Sequence, residues 1–266
     1  MNTMDRKIAE RRHEITEERA RGRLRWLLWL VLVTGLIGAT VWTFTSPLLA
    51  IQTVTVTGAE RTNPEATARR LGIVPGIATI STRGGPVEAA LLADPWIAVA
   101  DVVVSWPGTV EIHVIERAPL VVVHTADGEF ATAQDGVFVE VVDGGSIPPR
   151  IEAEQVGARR PGERVTDATT LAAIEFVAAL PPSLRRTATV NVNGDRLAAD
   201  VAGFDVVLGR PLEMALKAAA VEALIASDIE EGSRIDVTAP TRPAVGPPQS
   251  QLDVENETSQ DTQPSD

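Results

Sequence analysis

The sequence predicts an α+β protein with a single N-terminal transmembrane helix, a β-α-α-β-β unit, and then a mainly antiparallel-sheet unit with flanking helices. Three observations lead to this prediction. A long apolar run stands near the N-terminus. Helix-start and turn signals divide residues 49–117 into five elements, and strand patterns joined by Asp-Gly and Asn-Gly turns recur within residues 118–245. A chain of 266 residues has room for two modest domains beside the helix.

The composition excludes several classes of protein. A formal net charge of −12 argues against nucleic-acid binding, because a surface that binds phosphates needs clustered Lys and Arg. The chain has no cysteine, which excludes disulfide scaffolds, cysteine-based zinc sites and thiol nucleophiles. Its two lysines, Lys7 and Lys217, do not follow a glycine-rich loop. A Walker-type phosphate site is therefore excluded as well.

Residues 26–46 are predicted to cross a membrane. No residue between Trp26 and Ala50 is charged, and at about 1.5 Å per residue the apolar part spans the hydrocarbon layer of roughly 30 Å. Trp26, Trp29 and Trp42 lie near its two ends, where indole rings favour the headgroup region. Pro47 is expected to end the helix.

Two other interpretations of this run remain. A buried helix of a soluble domain would show a polar stripe, and the run has none. A cleaved signal peptide fits the N-terminal position, but its apolar part is typically about 7 to 15 residues long and is followed by a small-x-small site. A membrane anchor therefore fits the run best.

The charges beside the run predict its direction. Residues 1–25, a basic arm, carry eight Arg or Lys and five Asp or Glu. On the other side the first charges are Glu60 and Arg61. The positive-inside bias places the arm in the cytoplasm and the region after residue 47 outside the membrane. The topology signal consists of the four arginines nearest the run: Arg19, Arg21, Arg23 and Arg25.

Cap and turn signals give the order of the first unit, residues 49–117. Asn63, Pro64 and Glu65 form a helix start, with a cap, a proline at the first position and an acid in the first turn. The other predicted elements are a strand at Ile51–Thr57, a second helix from Gly85-Pro86 with Val87, Leu91 and Leu92 facing a core, and a hairpin of Ile97–Ser105 and Thr109–Glu116 around Trp106-Pro107-Gly108.

The second unit, residues 118–245, shows strand and helix patterns in alternation. Its predicted strands are Leu120–Thr125, Glu129–Ala133, Val137–Val142, a hairpin at Asn193-Gly194, Phe204–Leu208 and Arg234–Thr238, and its predicted helices are Asp167–Leu180 and Pro211 to about Ser227. Residues 246–266 carry acids and no base, and are predicted to form a disordered acidic tail.

Residues that carry chemistry form no recognisable constellation. His13, His113 and His124 have no spacing that pairs them, and no Gly-x-Ser-x-Gly elbow occurs. The carboxylate pairs Glu152/Glu154 and Glu230/Glu231 stand in loop-like sequence and are interpreted as solvated surface. Trp96 and Trp106 are interpreted as core residues. We therefore expect a protein that is not an enzyme and has no catalytic residue, cofactor, metal ion or small-molecule substrate.

Several stretches together resemble the FtsQ/DivIB family of bacterial cell-division proteins, whose first extracytoplasmic domain is a POTRA domain. They are IQTVTVTGAERTNPE, DPWIAVADVVVSWPGTVEIHVIERAPL and KAAAVEALIASDIEEGSRIDV. They contain the family's Pro-Trp-hydrophobic step at Pro95-Trp96-Ile97, its Trp-Pro turn at Trp106-Pro107 and its Glu-Arg-x-Pro exit at Glu116–Pro119. The resemblance implies a POTRA-like domain at 49–117 and an FtsQ-type β domain at 118–245.

This resemblance implies a recruiting scaffold of the division complex, in the plasma membrane and concentrated at the septum. The implied partners are membrane-anchored FtsB-like and FtsL-like proteins, with FtsK-, FtsW- and FtsI-like proteins as further candidates. In the family a partner adds a strand to the open edge of the second domain's sheet. The matching stretches are Ile235–Thr238 and a last strand at Thr241–Val245, where Pro240 and Pro243 each remove a donor. The residues expected to bind the partner are Val237, Thr238, Thr241, Arg242, Ala244 and Val245.

Two rival functions follow from the same features. POTRA-like folds also serve envelope assembly and secretion, but usually as repeats before a β-barrel, and the sequence holds one copy. A signal-anchored hydrolase of the cell wall needs a nucleophile-base pair or a metal site, which the sequence does not present.

Overall fold

A computed structural model describes residues 25–42, 50–78, 83–142, 149–157 and 160–248. The first element is helix α1, Arg25–Trp42, which has a mean hydropathy of 1.6 and is long and apolar enough to cross a membrane. None of it is buried, and Trp26, Trp29 and Trp42 are all exposed. A core helix of a soluble domain would be covered, so this exposure disfavours that alternative. Residues 1–24, with Arg19, Arg21 and Arg23, and residues 43–49 lie outside the described part.

The next five elements follow the predicted order. They are strand β1 (Thr53–Thr57), helices α2 (Pro64–Arg70) and α3 (Gly84–Leu92), and strands β2 (Ile97–Ser105) and β3 (Thr109–Glu116). The three strands form one sheet in the order β1-β3-β2, and β1 runs parallel to β3 with Thr53 opposite Thr109. At the β2–β3 turn, a Cβ on Gly108 would lie 2.2 Å from the Ala50 carbonyl oxygen, so only glycine fits there.

Local signals explain helix α2 and part of α3. The Asn63 side chain accepts a hydrogen bond from the Ala66 N–H at 3.0 Å, and Pro64 occupies the first turn, as predicted. Val87 and Leu91 are buried. Leu92 is 49% exposed, so the expectation that it faces a core is wrong. It is the last residue of α3, at the end of the helix.

The two tryptophans beside turns differ from the core assignment. Trp106 is 55% exposed, and the prediction that it packs in the core is wrong. Trp96 is half-buried, and the Arg61 guanidinium carbon lies 4.4 Å from its ring centroid. A cation over an indole face is a favourable contact, so Arg61 covers one face of the Trp96 ring.

Glu116, at the end of β3, fixes the chain between β1 and α2. Its carboxylate accepts hydrogen bonds from the Arg61 N–H at 3.1 Å and from the Thr62 N–H and hydroxyl at 2.8 and 2.6 Å. These bonds, those from Thr62 first, lower the pKa of Glu116 from 4.5 to about 2, although partial desolvation acts in the opposite direction. The glutamate of the Glu-Arg-x-Pro motif therefore has a structural role.

The remaining strands form a nine-stranded sheet in the order β12-β11-β10-β9-β8-β7-β4-β5-β6. Five neighbouring pairs are antiparallel, and the pairs β4–β7, β7–β8 and β10–β11 are parallel. Their bounds are β4 Pro119–Thr125, β5 Gly128–Ala133, β6 Phe138–Val142, β7 Arg150–Glu152, β8 Thr189–Asn193, β9 Arg196–Val201, β10 Phe204–Gly209, β11 Arg234–Asp236 and β12 Ala244–Gly246.

One face of this sheet is buried against helices. Helix α4, Ala168–Ala179, begins after Asp167, whose side chain accepts a hydrogen bond from the Thr170 N–H at 2.7 Å. It packs on β4, β7, β8 and β9 and against helix α6, Met214–Ile225, and the short helix α5, Pro182–Arg185, follows it. α6 begins three residues after the predicted start at Pro211, since Glu213 has a positive φ of 55°.

Strand β7 contradicts the loop predicted around Glu152. Arg150–Glu152 pairs in parallel with β4 and with β8. The Arg150 guanidinium contacts the carboxylates of Glu152 and Glu129, the latter at 3.2 Å. The Arg150 guanidinium therefore joins two carboxylates within the sheet, and Glu152 has a structural role as an ion-pair partner.

The bonds to Glu116 give a pH-dependent prediction. Because the folded pKa of Glu116 is depressed, its stabilisation is fully present above pH 4.5 and is lost as the pH falls towards about 2. Glu116→Gln is therefore expected to lower the free energy of unfolding at pH 7, and this difference from the unmutated chain should shrink steadily between pH 4.5 and 2. Denaturant unfolding followed by tryptophan fluorescence measures both values.

Glu111→Gln is the matched control for Glu116→Gln, since Glu111 is an exposed glutamate on the same strand. It is expected to leave the free energy of unfolding unchanged at pH 7. An equal loss in both variants, or a Glu116→Gln difference that does not vary between pH 4.5 and 2, would contradict the role given to Glu116.

Candidate partner-binding edge

Strand β12 is one end of the nine-stranded sheet. It pairs antiparallel with β11, with Ala244 opposite Asp236, Val245 opposite Ile235 and Gly246 opposite Arg234. Ala244 is exposed and Val245 is 45% exposed. Within the ranges that the structure describes, no strand lies on the outer side of β12. Backbone groups of successive strand residues point alternately to the two sides, so this outer side carries unpaired donors and acceptors.

The chain around β12 limits how long this edge is. Pro243 precedes the strand and Pro247 follows it. Proline has no N–H to donate, so the outward backbone donors of this edge come only from alternate residues within Ala244–Gly246. Prolines at both ends also prevent a long, uncontrolled extension of the sheet.

The predicted binding residues do not all lie on the edge strand. Val237 is buried, and its N–H donates to the Val207 carbonyl at 3.0 Å, so it belongs to the sheet interior. Thr238 is exposed, and its N–H and hydroxyl donate to the Asp236 carboxylate at 2.9 and 2.7 Å, which lowers the pKa of Asp236. Ala244 and Val245 lie on β12 itself.

Thr241 and Arg242 are exposed but lie outside the strand. The Arg242 N–H donates to the Ala239 carbonyl at 2.9 Å, which closes a turn between β11 and β12. The last strand is therefore Ala244–Gly246, and the prediction of Thr241–Val245 is corrected. Pro240 and Pro243 explain the shift, because both lack the donor that a strand needs.

The predicted start of the acidic tail is also corrected. Gly246 pairs in β12, and Pro248 is buried, with its Cβ 3.8 Å from the Cβ position of Gly232. The folded chain thus extends to at least Pro248. Residues 249–266 lie outside the described part, and the disorder expected for them stays a prediction.

The opposite edge of the sheet, β6, is partly covered. The Phe138 N–H donates to the Glu163 carbonyl at 2.9 Å, and the Gly162 N–H donates to the Phe138 carbonyl at 2.7 Å. Val137, just before β6, forms an isolated antiparallel bridge with Arg164. This segment pairs with the start of β6, so β12 is the more accessible of the two edges.

A cleft next to β12 was not predicted from the sequence. It has a volume of about 950 Å³ and is lined by residues of β8–β11 and of the chain that leads into α6. Lys217 is 2% exposed in this wall, and its Nζ donates to the carbonyls of Leu208 and Arg210 at 2.7 Å each. Burial lowers the pKa of Lys217, and the nearby Glu213 partly offsets this. The cationic residues that line the cleft, Arg196, Arg210, Lys217 and Arg234, come from separate parts of the chain. No local sequence motif therefore predicts the cleft.

His113 and His124 belong to different sheets. His113 Nδ1 lies 3.0 Å from the Thr57 hydroxyl, and His124 Nδ1 lies 3.5 Å from Glu129 Oε1. Among the described residues no group of three His, Cys, Asp or Glu side chains is arranged to hold a metal ion. His13 lies outside them.

Comparisons with known proteins agree on one family. A model of the FtsQ-type POTRA domain matches residues 49–117. The chain is 33% identical over 235 residues to the cell division protein FtsQ of Streptomyces bingchenggensis, which covers 84% of this chain and 86% of that protein. It is 29% identical over 242 residues to FtsQ of Streptomyces collinus, covering 84% and 88%.

A third relative is longer. The chain is 28% identical over 230 residues to the cell division protein FtsQ of Mycolicibacterium smegmatis, and the match covers 84% of this chain but 65% of that protein. The matches to the two Streptomyces proteins span most of both partners, and a β-α-α-β-β fold occupies the residues that the POTRA model matches. This chain therefore belongs to the FtsQ family of cell division proteins.

Proposed function

We propose that this cell division protein is a membrane-anchored scaffold without enzymatic activity. It links early and late division proteins to septal peptidoglycan synthesis by binding them outside the cytoplasm. One observation carries the proposal: the nine-stranded sheet ends at the exposed strand Ala244–Gly246, whereas the start of its other edge strand pairs with Gly162–Val165. An open edge beside a covered one favours the addition of a partner strand at β12.

The proposed contact is short and mainly made by the backbone. A partner segment pairs antiparallel or parallel with β12 and satisfies those N–H and C=O groups of Ala244–Gly246 that point away from β11. The exposed side chains of Ala244 and Val245 then supply apolar contact on one or both faces of the added strand. We propose membrane-anchored FtsB-like and FtsL-like proteins as the partners, with FtsK-, FtsW- and FtsI-like proteins as further members of the assembly.

The proposed location follows from α1 and the residues before it. α1 anchors the protein in the plasma membrane as a single-pass helix, with the arginine-rich residues 1–25 in the cytoplasm and both sheets outside. A partner anchored in the same membrane is confined to the same surface as this protein, which raises its effective concentration at β12. A short strand contact is therefore sufficient at the septum, where these proteins are proposed to concentrate.

The proposed contact at β12 is tested by substituting one exposed valine on each of the two edge strands. Val245→Lys puts a charge on β12, and Val141→Lys makes the same change on β6, where Val141 is 56% exposed. In cells depleted of the unmutated protein, Val245→Lys is expected to leave long, undivided cells and to reduce co-purified division proteins by about tenfold, roughly 1.4 kcal/mol. Val141→Lys is expected to support normal cell length.

A fluorescent fusion to the N-terminus, imaged in the same cells, separates binding from location. Equal division defects in the two valine variants would contradict binding at β12. Normal cell length after depletion, with the fusion spread around the envelope, would contradict the division scaffold itself and favour a POTRA-type assembly or secretion role.

The proposed orientation is testable because the chain has no native cysteine. Ala239→Cys, exposed in the turn before β12, is expected to react with a membrane-impermeant maleimide in intact spheroplasts. Asn2→Cys is expected to react only after lysis. Labelling of Asn2→Cys before lysis would reverse the orientation, and a mature protein that lacks residues 1–42 would show that the N-terminal run is a cleaved signal peptide.

A further inference from the structure

The cleft beside β12 is lined by the residues that alternate with core residues on β8 and β10. Asn191 and Asn193 alternate with Val190 and Val192, and Asp205 and Val207 alternate with Val206 and Leu208 in the same way. Side chains of successive strand residues point to opposite faces. The cleft therefore lies on the face of the sheet that does not bury the core.

The cleft is basic although the whole chain is acidic. Its walls carry four cationic side chains and two acidic ones, within a chain of formal charge −12. Arg234 Nε lies 3.7 Å from Asp205 Oδ2, and Lys217 is buried with its Nζ bonded to two backbone carbonyls. Of the four cations, Arg196 and Arg210 are exposed without such a partner in the cleft wall. Leu212, 63% exposed, adds apolar surface to the wall. The matching ligand is an extended acidic segment that carries a few apolar side chains.

The chain itself contains such a segment directly after β12. Residues 249–266 hold five acids and no Lys, Arg or His. Within them, Leu252 and Val254 alternate with Asp253, Glu255 and Glu257. In an extended conformation this alternation puts apolar side chains on one side and carboxylates on the other. The composition complements both the arginines and the exposed leucine of the cleft.

The segment also reaches the cleft. Gly246 is opposite Arg234, which lines the cleft, so the chain passes beside its wall before residue 249. Asp253 is seven residues beyond Gly246, which corresponds to about 23–25 Å of extended chain. The distance from β11 to β8 across the sheet is about 14 Å at the usual spacing of strands. The acids can therefore contact any of the four strands that line the cleft.

We infer that residues 249–266 bind in cis to the basic cleft formed by β8–β11 and the start of α6. The short connection gives the segment an effective concentration on the order of millimolar at the cleft, so weak ion pairs suffice for substantial occupancy. Salt screens such exposed pairs, and the docked fraction falls as ionic strength rises. The inference does not depend on strand addition at β12, although a docked segment lies next to that edge.

Disulfide formation in the full-length, membrane-anchored chain tests this docking, because no native cysteine competes. Glu255→Cys and Asn193→Cys place one thiol on the segment and one on the cleft wall. The two are expected to cross-link within one chain, and the rate is expected to fall at least about fivefold in 0.5 M salt.

Reversing a charge of the cleft wall in the same double-cysteine chain changes the cleft but not the length of chain that connects the segment to β12. Arg210→Glu, in the cleft wall, is expected to slow cross-linking at least about fivefold, and Asp253→Asn combined with Glu257→Gln is expected to slow it as well. Arg186→Glu is the control, since Arg186 is an exposed arginine of the same domain that does not line the cleft. It is expected to leave the rate unchanged.

Two results would overturn the inference. Equal rates in the Arg210→Glu and Arg186→Glu chains, or a rate that salt does not change, would show random collision of a tethered segment. Cross-links between two chains instead of within one would show that the cleft binds the segment of a second copy.

Discussion

An open β-sheet must end in two edges, and the backbone groups on each edge need a partner. In this protein the sheet buries one face against α4 and α6, and this burial fixes the register of the strands that contribute core residues. The two edges differ. Gly162–Val165 pairs with the start of β6, whereas the outer side of the three-residue strand β12, between two prolines, has no strand beside it among the described residues. The proposed binding of a partner follows from this asymmetry.

The elements with local signals were predictable from the sequence. Asn63 and Asp167 cap the two helices that they were expected to begin, and the Asn193-Gly194 turn joins β8 to β9. These features depend on a few neighbouring residues, which the sequence displays directly. The β-α-α-β-β order and the strands joined by Asp-Gly turns were accessible for the same reason.

Features that depend on distant residues were not predictable. Arg150–Glu152 forms a strand because β4 and β8 flank it, and no three-residue pattern reveals two parallel neighbours. Trp106 was assigned to the core because it stands beside a turn in a strand pattern, although it remains exposed at the β2–β3 turn. The start of the last strand was placed three residues too early and its end one residue too early, since the turn closed by the Arg242 N–H is not encoded by hydrophobic alternation.

The candidate site also combines features that the sequence predicted with features that it did not. The sequence placed Ala244 and Val245 on the last strand, where they lie, but Val237 is an interior residue and the basic cleft was not predicted. The cleft brings together side chains from β8 to α6 that are far apart along the chain, so only the folded sheet makes their charge visible.

The central claim, that β12 is where a division partner joins the sheet, is tested most directly by photo-cross-linking in dividing cells. A photoreactive residue at Ala244 is compared with one at Glu140, an exposed position on β6. The account predicts that Ala244 captures a membrane-anchored division protein and that Glu140 does not. Capture of the same protein at both positions, or only at Glu140, would contradict it.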